Sequence, residues 1–354
     1  MKYAVLGAGN GGQAISGWLS IQGHDVWLYD RSESKVAALS KKKEIRLQGA
    51  VDGVGKLTNV SNDIHSNVKG ADVIMVVTTA DAHAAIARDI AGDLVDGQMI
   101  LLNPGRTCGA LEFKRTLETC GCSANVLIAE AQTLIYAARL VEDGVVNIIG
   151  VKDKVLVAAV PATDTQSVLN KVKPDFPMFC PNVLRTSLEN IGAMFHPCVL
   201  MFNAATIERN DVFWFYRDMT EQVAGFIEKF DAERLAVGKA YGIDLLSVSD
   251  WISYAYPGTS GTTLCEKMKN NPAYHEIKSP STIFTRQLTE DIPTGVLPIM
   301  ELGEVAGVPV PLMQSMVNIC EALLNLDLRS KGRTLVNLGL DGMSKDEIIN
   351  YLSR

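Results

Sequence analysis

The sequence predicts two domains: an α/β domain with a doubly wound parallel sheet, followed by a mainly α-helical domain. The 354 residues are enough for about two domains of roughly 150 residues each. Short apolar runs alternate with helical patterns in the first half, whereas the hydrophobic spacing beyond residue 180 is predominantly helical. We therefore place the boundary near Cys180 and assign residues 1–180 and 181–354 to the two domains.

Apolar runs bounded by turn residues predict the strands of the first domain. Four such runs alternate with helical patterns that include residues 80–94 and 109–119, and three later runs extend the strand count. The four runs lie at 3–6, 25–30, 73–77 and 99–102, and the later three at 125–129, 145–151 and 154–160. Strands that alternate with helices are joined by right-handed crossovers, and we therefore expect the strands to be parallel.

The second half begins after a proline-rich crossing segment that contains Pro174, Pro177 and Pro181. Helical hydrophobic spacing then predicts three long helices, at 184–203, 219–241 and 311–324. Ser344 and Glu347 have the spacing of a capping box, which predicts the start of a final short helix.

The composition excludes several classes of protein. With 47% hydrophobic and 21% charged residues, the chain can bury a large core, which disordered and fibrous proteins do not. The formal net charge is −7 and the longest basic run is Lys41-Lys42-Lys43, so the charges do not favour a nucleic-acid partner. No apolar stretch approaches the ~20 residues that a membrane-spanning helix needs.

The cysteines and histidines indicate neither disulfides nor a metal site. Seven cysteines without regular spacing, in a long chain without a signal peptide, favour reduced thiols and a cytoplasmic protein. The histidines form no H-x-x-x-H pair, and Cys120 and Cys122 lack partners at zinc spacing. We therefore expect no metal.

Gly7, Gly9 and Gly12 follow the first predicted strand at the G-x-G-x-x-G spacing and open a helical pattern. In such a motif the first glycine allows a tight turn, the second lets the backbone approach a pyrophosphate, and the third lets the helix pack on the strand. Phosphates then bind N–H groups at the helix N-terminus, where the helix dipole favours negative charge. The motif predicts a Rossmann-type dinucleotide site, in which we include Asn10.

The end of the second strand bears on the choice of cofactor. Asp30 lies eighteen positions after Gly12, where a carboxylate accepts hydrogen bonds from the adenosine ribose and favours NAD. Arg31 follows it directly and is able to pair with the 2′-phosphate of NADP. We expect NAD or NADP, with a slight preference for NAD.

Residues after three other strands complete the predicted cofactor site. Thr78, Asn103 and Pro104 follow two central strands, and ligands bind at the carboxyl ends of strands in open sheets. Glu130 follows the strand at 125–129, where it either lines the nicotinamide side or caps a helix. For all of them a purely structural role in a turn or cap stays open.

Several separated motifs resemble the octopine/nopaline (opine) dehydrogenases, and the similarity is closest to the bacterial branch that makes N-(1-carboxyethyl) amino acids. The resemblance extends over nearly the whole chain. Its landmarks, in chain order, are residues 3–12 (YAVLGAGNGG), 101–105 (LLNPG), 109–113 (GALEF), Asn190 with His196 and Pro197, 271–274 (NPAY), 289–295 (TEDIPTG), 308–312 (VPVPL) and 332–335 (GRTL).

The resemblance implies an enzyme that joins the amine of an amino acid to the keto carbon of a 2-oxo acid such as pyruvate, and reduces the imine with NAD(P)H. It also implies a second domain similar to the C-terminal domain of 6-phosphogluconate dehydrogenase, and a homodimer. The family's paired catalytic His and Asp correspond to His196 and Asp291, its carboxylate-binding Arg to Arg286, and Asn190 joins the substrate site.

The residue types themselves fit this chemistry. Delivery of hydride to a C=N or C=O carbon needs a proton donor for the heteroatom, and a carboxylate holds a histidine in the required tautomer. A planar guanidinium such as that of Arg286 binds a carboxylate through two parallel hydrogen bonds. By composition alone, Asp291 lies in a loop. On an extended or irregular segment Arg286, five positions earlier, faces the same cleft as Asp291; the alternative is a surface ion pair of Arg286 with Glu290 or Asp291. We interpret the aromatic run from Phe213 to Tyr216 as core or a subunit contact, or as the wall of a side-chain pocket.

Two other functions stay open. One is a simple 2-oxo acid or 2-hydroxy acid dehydrogenase with a His/Asp pair, because the sequence does not show where an amine binds. The other is a non-catalytic NAD(P)-binding regulator, although the presence of His196, Asp291 and Arg286 speaks against it. Lysine-dependent reductases such as ketopantoate reductase are disfavoured, since no lysine lies between Lys173 and Lys229.

Overall fold

The computed structural model describes residues 1–152, 155–172, 178–179, 182–256 and 258–353. Two compact units are present: Met1–Thr186 with the C-terminal residues from Tyr351 onward, and Ser187–Asn350. Cys180 and the three prolines of the predicted crossing segment lie outside the described residues.

The described residues contain twelve strands, most of which belong to one large sheet. In chain order they are β1 Lys2–Leu6, β2 Asp25–Tyr29, β3 Glu44–Gly49, β4 Gly53–Lys56, β5 Asn59–Ser61, β6 Val73–Val76, β7 Met99–Leu102, β8 Leu127–Ala131, β9 Tyr136–Glu142, β10 Val145–Val151, β11 Leu156–Ala159 and β12 Met178–Phe179. The large sheet has the order β12-β11-β8-β7-β6-β1-β2-β5.

The prediction of a doubly wound parallel sheet is confirmed for six consecutive strands of the large sheet. From β5 to β8 every neighbouring pair is parallel, and the chain order reverses between β1 and β6. In such sheets the crevice for a dinucleotide lies at this reversal, outside the carboxyl ends of the strands. The expectation that all strands are parallel is wrong at β11, which pairs with β8 in the antiparallel sense.

A second sheet, of order β4-β3-β10-β9, was not predicted. The apolar run at 145–151 is its strand β10 and therefore does not extend the large sheet. Only Asp143 and Gly144 separate β9 from β10, and so short a connection requires an antiparallel pair. Hydrogen bonds between separate segments decide which strands pair, and the pattern within one strand does not encode them. The sequence therefore did not predict that β3, β4 and β9 form one sheet with β10.

The helices of the first unit lie between these strands. They are α1 Asn10–Ile21, α2 Glu33–Ser40, α3 Ile64–Val68, α4 His83–Ile90, α5 Gly109–Thr119 and α6 Thr165–Val172, with 3₁₀ turns at Ala80–Ala82 and Ala162–Asp164. The predicted helix at 80–94 is shorter than expected, whereas α5 has the predicted bounds. Helix α7, Val183–Leu188, crosses from the first unit into the second.

The second unit is helical, as predicted. Its helices are α8 Ile191–Phe202, α9 Ala204–Glu208, α10 Glu221–Ala240, α11 Val248–Ala255, α12 Leu264–Asn270, α13 Arg286–Thr289, α14 Leu297–Val305, α15 Pro311–Leu324, α16 Leu335–Leu338 and α17 Lys345–Ser353, with a 3₁₀ turn at Pro272–Tyr274 and a π-helical turn at Ile292–Val296. The predicted helix at 184–203 is interrupted at residues 189–190. The capping box is present, because Ser344 and Glu347 exchange backbone-to-side-chain hydrogen bonds.

A buried ion pair fixes the segment that precedes α8. Arg234 on α10 is fully buried, and its Nε donates to Asp231 at 2.6 Å. Its two Nη groups donate to the carbonyls of Leu188 and Leu246, at 2.9 and 2.6 Å. One guanidinium therefore ties the end of α7, just before α8, and the approach to α11 to helix α10.

Candidate active site

The glycine turn has the geometry that the motif predicts. Gly7 has φ +108°, and a Cβ there would lie 2.8 Å from the carbonyl oxygen of Val77. A Cβ on Gly12 would lie 1.7 Å from the Gly7 carbonyl oxygen, so α1 approaches β1 as closely as it does only because Gly12 has no side chain. These two glycines shape the turn and set the position of α1.

Gly9 differs from the other two glycines of the motif. A Cβ built on it would have no heavy atom within 4 Å among the described residues. Gly9 is also the N-cap of α1, and its end of the helix has no side-chain cap. Open space in front of uncapped helical N–H groups fits the pyrophosphate of a dinucleotide.

Asp30 is held at the carboxyl end of β2 by the backbone around it. Its Oδ2 accepts the Ala8 N–H at 2.8 Å, and its Oδ1 accepts the Ser32 N–H at 3.0 Å. Lys35 Nζ lies 3.6 Å from Oδ2, while Arg31 is exposed. The carboxylate thus links the glycine turn to β2, next to the turn that would hold the phosphates.

The other predicted cofactor residues divide into two groups. Thr78 lies against the glycine turn, with Cγ2 3.0 Å from the position of a Gly7 Cβ. By contrast, the amide of Asn103 is buried and donates to the Leu101 carbonyl at 3.0 Å, while Pro104 is half-buried beside it. The side-chain oxygen of Asn10 accepts the Leu140 N–H at 2.8 Å, which fixes edge strand β9 to the turn.

Glu130 has the environment of an anchor. It is fully buried at the end of β8, where Oε2 accepts the Ala110 N–H at 2.9 Å and Oε1 accepts the Thr186 hydroxyl at 2.7 Å. Gly105 makes room for it, since a Cβ there would lie 2.4 Å from Glu130 Cβ. The carboxylate therefore caps the N-terminus of α5 and fixes α7, and its predicted contact with the nicotinamide stays a prediction.

His196 and Asp291, the predicted acid–base pair, are in direct contact in the second unit. His196 lies within α8, and its Nδ1 is 2.5 Å from Asp291 Oδ2. The Asp291 side chain is 2% exposed and that of His196 19%. A buried carboxylate at this distance holds a proton on Nδ1 and leaves Nε2 on the side of the ring that faces away from Asp291.

The prediction that Asp291 lies in a loop is wrong. Asp291 has helical backbone angles and directly precedes the π-helical turn Ile292–Val296. Gly295 lets this turn approach α8, because a Cβ there would lie 2.6 Å from Ala193 Cβ and 3.1 Å from Asn190 Nδ2. Asn190 is buried at the N-cap of α8, six residues before His196. Helical packing, which proline and glycine at 293 and 295 disguise in the sequence, buries the carboxylate.

The buried Arg333 supports the same turn from the other side. Its backbone N–H donates to the Pro293 carbonyl at 2.9 Å, and Gly332 before it has no room for a side chain against Leu297. Two of the landmark segments, 289–295 and 332–335, therefore contact each other. Their function in the fold is to hold the turn that carries Asp291.

Arg286 is exposed on the surface of the second unit. It opens the short helix α13, so the expectation of an extended or irregular segment is wrong. Its side chain is 66% exposed, and Nη1 lies 3.6 Å from Oε2 of the buried Glu290. The ion pair that the sequence allowed is thus present, and most of the guanidinium surface remains available to solvent or a ligand.

Tyr216 is the residue of this site that sequence reasoning did not assign. Its hydroxyl lies 3.0 Å from His196 Nε2, so both nitrogens of the imidazole have a partner. The aromatic run 213–216 pointed to this region, but neither the spacing nor the residue type indicated a contact with a histidine twenty positions away.

Two further findings concern the described part of the chain. It contains no group of three or more His, Cys, Asp or Glu side chains placed to hold a metal ion. Its helices include none that is both long enough and apolar enough to cross a membrane.

Comparison with known proteins matches each half of the chain to a family model and the whole chain to a curated relative. A family described as "NAD/NADP octopine/nopaline dehydrogenase, alpha-helical domain" matches residues 179–324, and "Ketopantoate reductase PanE/ApbA" matches residues 3–103. An opine dehydrogenase of Arthrobacter sp. (strain 1C) is 36% identical over 97% of this chain and 96% of its own length.

Solved structures show that the fold is shared over the full length. Octopine dehydrogenase with NADH and L-arginine superimposes with a TM-score of 0.79 at 19% identity, covering 99% of this chain and 98% of that one. Yersinopine dehydrogenase with NADP+ gives 0.72 at 12% identity, over 99% and 97% of the two chains. The chain therefore belongs to the octopine/nopaline (opine) dehydrogenase family, and it is an NAD(P)-dependent oxidoreductase that acts on CH–NH groups by reductive condensation of an amino acid with a 2-oxo acid.

Proposed function

We propose that His196 and Asp291 are the acid–base pair of this reductive condensation. The observation that carries the proposal is the 2.5 Å contact between His196 Nδ1 and a carboxylate that is 2% exposed. Bound NAD(P)H supplies the hydride for the imine carbon. Loss of water from the amine–oxo acid adduct needs a proton on the departing oxygen, and the reverse oxidation needs a base for the proton of the secondary amine. His196 Nε2 serves both steps, while Asp291 stabilises the imidazolium.

The glycine turn and Asp30 hold the cofactor in this proposal. The space at Gly9 and the uncapped N-terminus of α1 support binding of the pyrophosphate, and Thr78 lies beside the same turn. The fixed carboxylate of Asp30 supports hydrogen bonds to the ribose and hence a preference for NAD. The exposed Arg31 is the residue available to a 2′-phosphate.

For the substrates we propose an amino acid and pyruvate. This proposal is supported by the similarity of the chain to octopine dehydrogenase, whose solved complexes contain L-arginine and pyruvate. Arg286 is the proposed carboxylate-binding residue, because its guanidinium is largely exposed. Its ion pair with Glu290 is 3.6 Å long and neutralises the positive charge of Arg286 only in part. We place Asn190 in the same substrate site because it lies at the N-cap of α8, the helix that carries His196.

The experiment that tests the proposal measures oxidation of NADH and NADPH with pyruvate, with and without a panel of amino acids, and determines the mass of each product. Oxidation that depends on the amine and yields a secondary-amine dicarboxylate supports the proposed reaction. Equal oxidation of NADH without any amine would instead identify a simple oxo-acid reductase. Tight cofactor binding with no turnover over the whole panel would favour a regulator.

We also propose a cytoplasmic homodimer. None of the six cysteines that the structure describes is in a disulfide, which supports a reducing compartment. The second unit exposes large apolar side chains, among them Phe202, Val212 and Phe284, which supports a protein interface. Light scattering on the purified enzyme, over a range of concentrations, tests the dimer, since a constant monomer mass would contradict it.

A further inference from the structure

Both nitrogens of His196 are engaged, each by a different kind of group. On one side Asp291 Oδ2 lies 2.5 Å from Nδ1, and on the other the Tyr216 hydroxyl lies 3.0 Å from Nε2. An ionised carboxylate only accepts hydrogen bonds, whereas a phenol hydroxyl both donates and accepts. Asp291 therefore requires a proton on Nδ1, whereas Tyr216 forms a hydrogen bond with Nε2 whether or not that nitrogen carries a proton.

The Tyr216 ring is fixed by its aromatic neighbours. It stacks on Tyr274, with ring centroids 4.4 Å apart and planes 23° from parallel. Phe215 and Phe195 meet it edge to face at 4.8 and 6.2 Å. Tyr216 is 7% exposed, so its hydroxyl is directed at His196 by packing rather than by chance contact at a surface.

The backbone of this aromatic segment is also fixed. The Phe215 N–H donates to the Ile277 carbonyl at 2.8 Å, and the Ser279 N–H donates to the Phe213 carbonyl at the same distance. The Tyr274 hydroxyl lies 3.2 Å from the Tyr256 hydroxyl, whereas its contact with Tyr216 is made by the ring alone. Burial, with smaller effects of Tyr256 and Tyr216, raises the pKa of Tyr274 well above its ordinary value, so this ring remains neutral.

We propose that Tyr216 is a positioning residue for His196: before substrate binds, its hydroxyl holds the imidazole in one ring orientation in either protonation state, and the reacting atom of the substrate then replaces the hydroxyl at Nε2. When the imidazole is neutral and Nδ1 carries the proton, the Tyr216 O–H donates to the lone pair of Nε2. When the imidazole is charged, Nε2–H donates to the Tyr216 oxygen. A backbone N–H or carbonyl would serve only one of these two states.

The physical benefit is that the ring does not turn over when its charge changes. The terminal torsion of a histidine is broad and roughly two-fold, and a half-turn about it puts the carbons Cδ2 and Cε1 where Nδ1 and Nε2 lay. The turned ring would lose its contacts with Asp291 and with Tyr216 together, so the second contact adds to the free energy that holds the ring in its orientation. Every catalytic cycle then starts with Nδ1 at Asp291 and Nε2 at the same position.

This inference rests on the proposed function of His196, and kinetics with four variants separate the two. We expect Tyr216→Phe to lower kcat by about 10- to 100-fold with the KM for NADH unchanged, because the reacting nitrogen is misplaced but the cofactor site is not. Tyr274→Phe is the matched control, since it removes a hydroxyl from the other ring of the stacked pair that binds Tyr256 and not His196. It should change kcat by less than about twofold.

The third and fourth variants are His196→Ala and the double variant with Tyr216→Phe. If Tyr216 acts through His196, adding Tyr216→Phe to His196→Ala has no further effect on kcat. A further fall by the same factor as in the wild-type background would overturn the inference and assign the hydroxyl an independent effect. Wild-type turnover of His196→Ala would instead contradict the proposed acid–base pair itself.

A measurement independent of turnover uses the imidazole ¹⁵N resonances, which His196→Ala assigns among the five histidines of the chain. Tyr216→Phe should move the His196 Nε2 resonance, and Tyr274→Phe should leave it unchanged. An unmoved Nε2 resonance, or a Tyr216→Phe enzyme with the kcat of the Tyr274→Phe control, would show that the hydroxyl does not position the ring. Thermal unfolding of each variant separates both results from a loss of folding.

Discussion

Asp291 Oδ2 lies 2.5 Å from His196 Nδ1, although 95 positions separate the two residues in the chain. The contact depends on an unusual piece of backbone, the π-helical turn that follows Asp291 and packs on α8 through Gly295. A carboxylate that is 2% exposed is expensive to keep charged unless it has hydrogen-bond partners, and the imidazole is one of these. The fold therefore places a buried carboxylate beside the histidine that we propose as the acid–base residue.

Replacement of Asp291 by Asn should preserve the shape of the pair and remove its charge. The amide either donates to Nδ1 or accepts from it more weakly, so the required tautomer and the imidazolium both lose their stabilisation. We expect kcat to fall by about 100-fold or more while the dissociation constant of NADH stays the same. Steady-state kinetics and a fluorescence titration with NADH measure both. Asp211→Asn, at an exposed ion pair with Arg209, is the control and should retain wild-type turnover.

Replacement of Arg286 by Ala should raise the KM for the 2-oxo acid more than the KM for the amine. The guanidinium is 66% exposed and its contact with Glu290 is 3.6 Å long, so its loss should change the free energy of unfolding by less than about 1 kcal/mol. Substrate-dependent kinetics at saturating NADH provide the test. Arg209→Ala, also at an exposed ion pair, should leave both KM values unchanged. Equal increases for both substrates would contradict a carboxylate-binding function for Arg286.

Alanine should impair folding at Gly12 but not at Gly9. A Cβ at Gly12 would lie 1.7 Å from a carbonyl oxygen, so Gly12→Ala should lower the melting temperature. A Cβ at Gly9 meets open space, so Gly9→Ala should fold normally but weaken NADH binding about tenfold or more by filling the volume in front of α1. Calorimetric unfolding and NADH titration distinguish the two. Normal NADH affinity in Gly9→Ala would mean that the pyrophosphate binds elsewhere.

Cofactor preference should respond to the two residues at the end of β2. Asp30→Ala removes the proposed ribose acceptor, together with the hydrogen bonds to Ala8 and Ser32, and should weaken NADH more than NADPH. Arg31→Ala removes the cation available to a 2′-phosphate and should weaken NADPH more than NADH. Dissociation constants for both cofactors, measured for both variants, give the comparison. A selective loss of NADPH binding in Asp30→Ala would reverse the proposed preference.

The ion pair within α10 should dominate the stability of the helical unit. Asp231→Ala leaves the charge of Arg234 without its carboxylate in a fully buried position, so we expect a loss of about 3–5 kcal/mol in the free energy of unfolding. Asp211→Ala, at an exposed pair, should cost less than about 1 kcal/mol. Urea denaturation of the wild type, Asp231→Ala and Asp211→Ala measures the free energy of unfolding of each protein. Similar midpoints for Asp231→Ala and Asp211→Ala would show that the buried pair contributes no specific stability.

Hydrophobic patterns in the sequence predicted several helices and strands with their correct bounds. Helices α5 and α15 have the predicted bounds, and the run at 145–151 is a strand with the predicted bounds. Hydrophobic periodicity records which face of an element is buried, and a helix or strand satisfies its own pattern without knowledge of distant residues. The same patterns did not reveal that this strand belongs to a second sheet, because strand pairing is a property of two segments.

The site divides in the same way. Gly7, Gly9, Gly12 and Asp30 were predicted from spacing alone, because a strand, a turn and a helix that are contiguous in sequence build the glycine turn. His196, Asp291 and Arg286 were identified by resemblance to a family, since their spacing has no local meaning. Tyr216 escaped both routes. Its contact with His196 requires the aromatic packing of residues from four separate segments.

By itself, the sequence determined an α/β nucleotide-binding half, a helical half and a glycine turn for a dinucleotide, because backbone conformation and amphipathic spacing are local properties. Only the tertiary structure decided that Asp291 is buried in a helical segment, that Glu130 and Asn103 have hydrogen-bond partners inside the protein, and that the Tyr216 hydroxyl contacts Nε2 of His196. Burial and hydrogen-bond partners are set by segments far apart in the chain, and those two quantities give an ordinary aspartate, glutamate or tyrosine its chemical function.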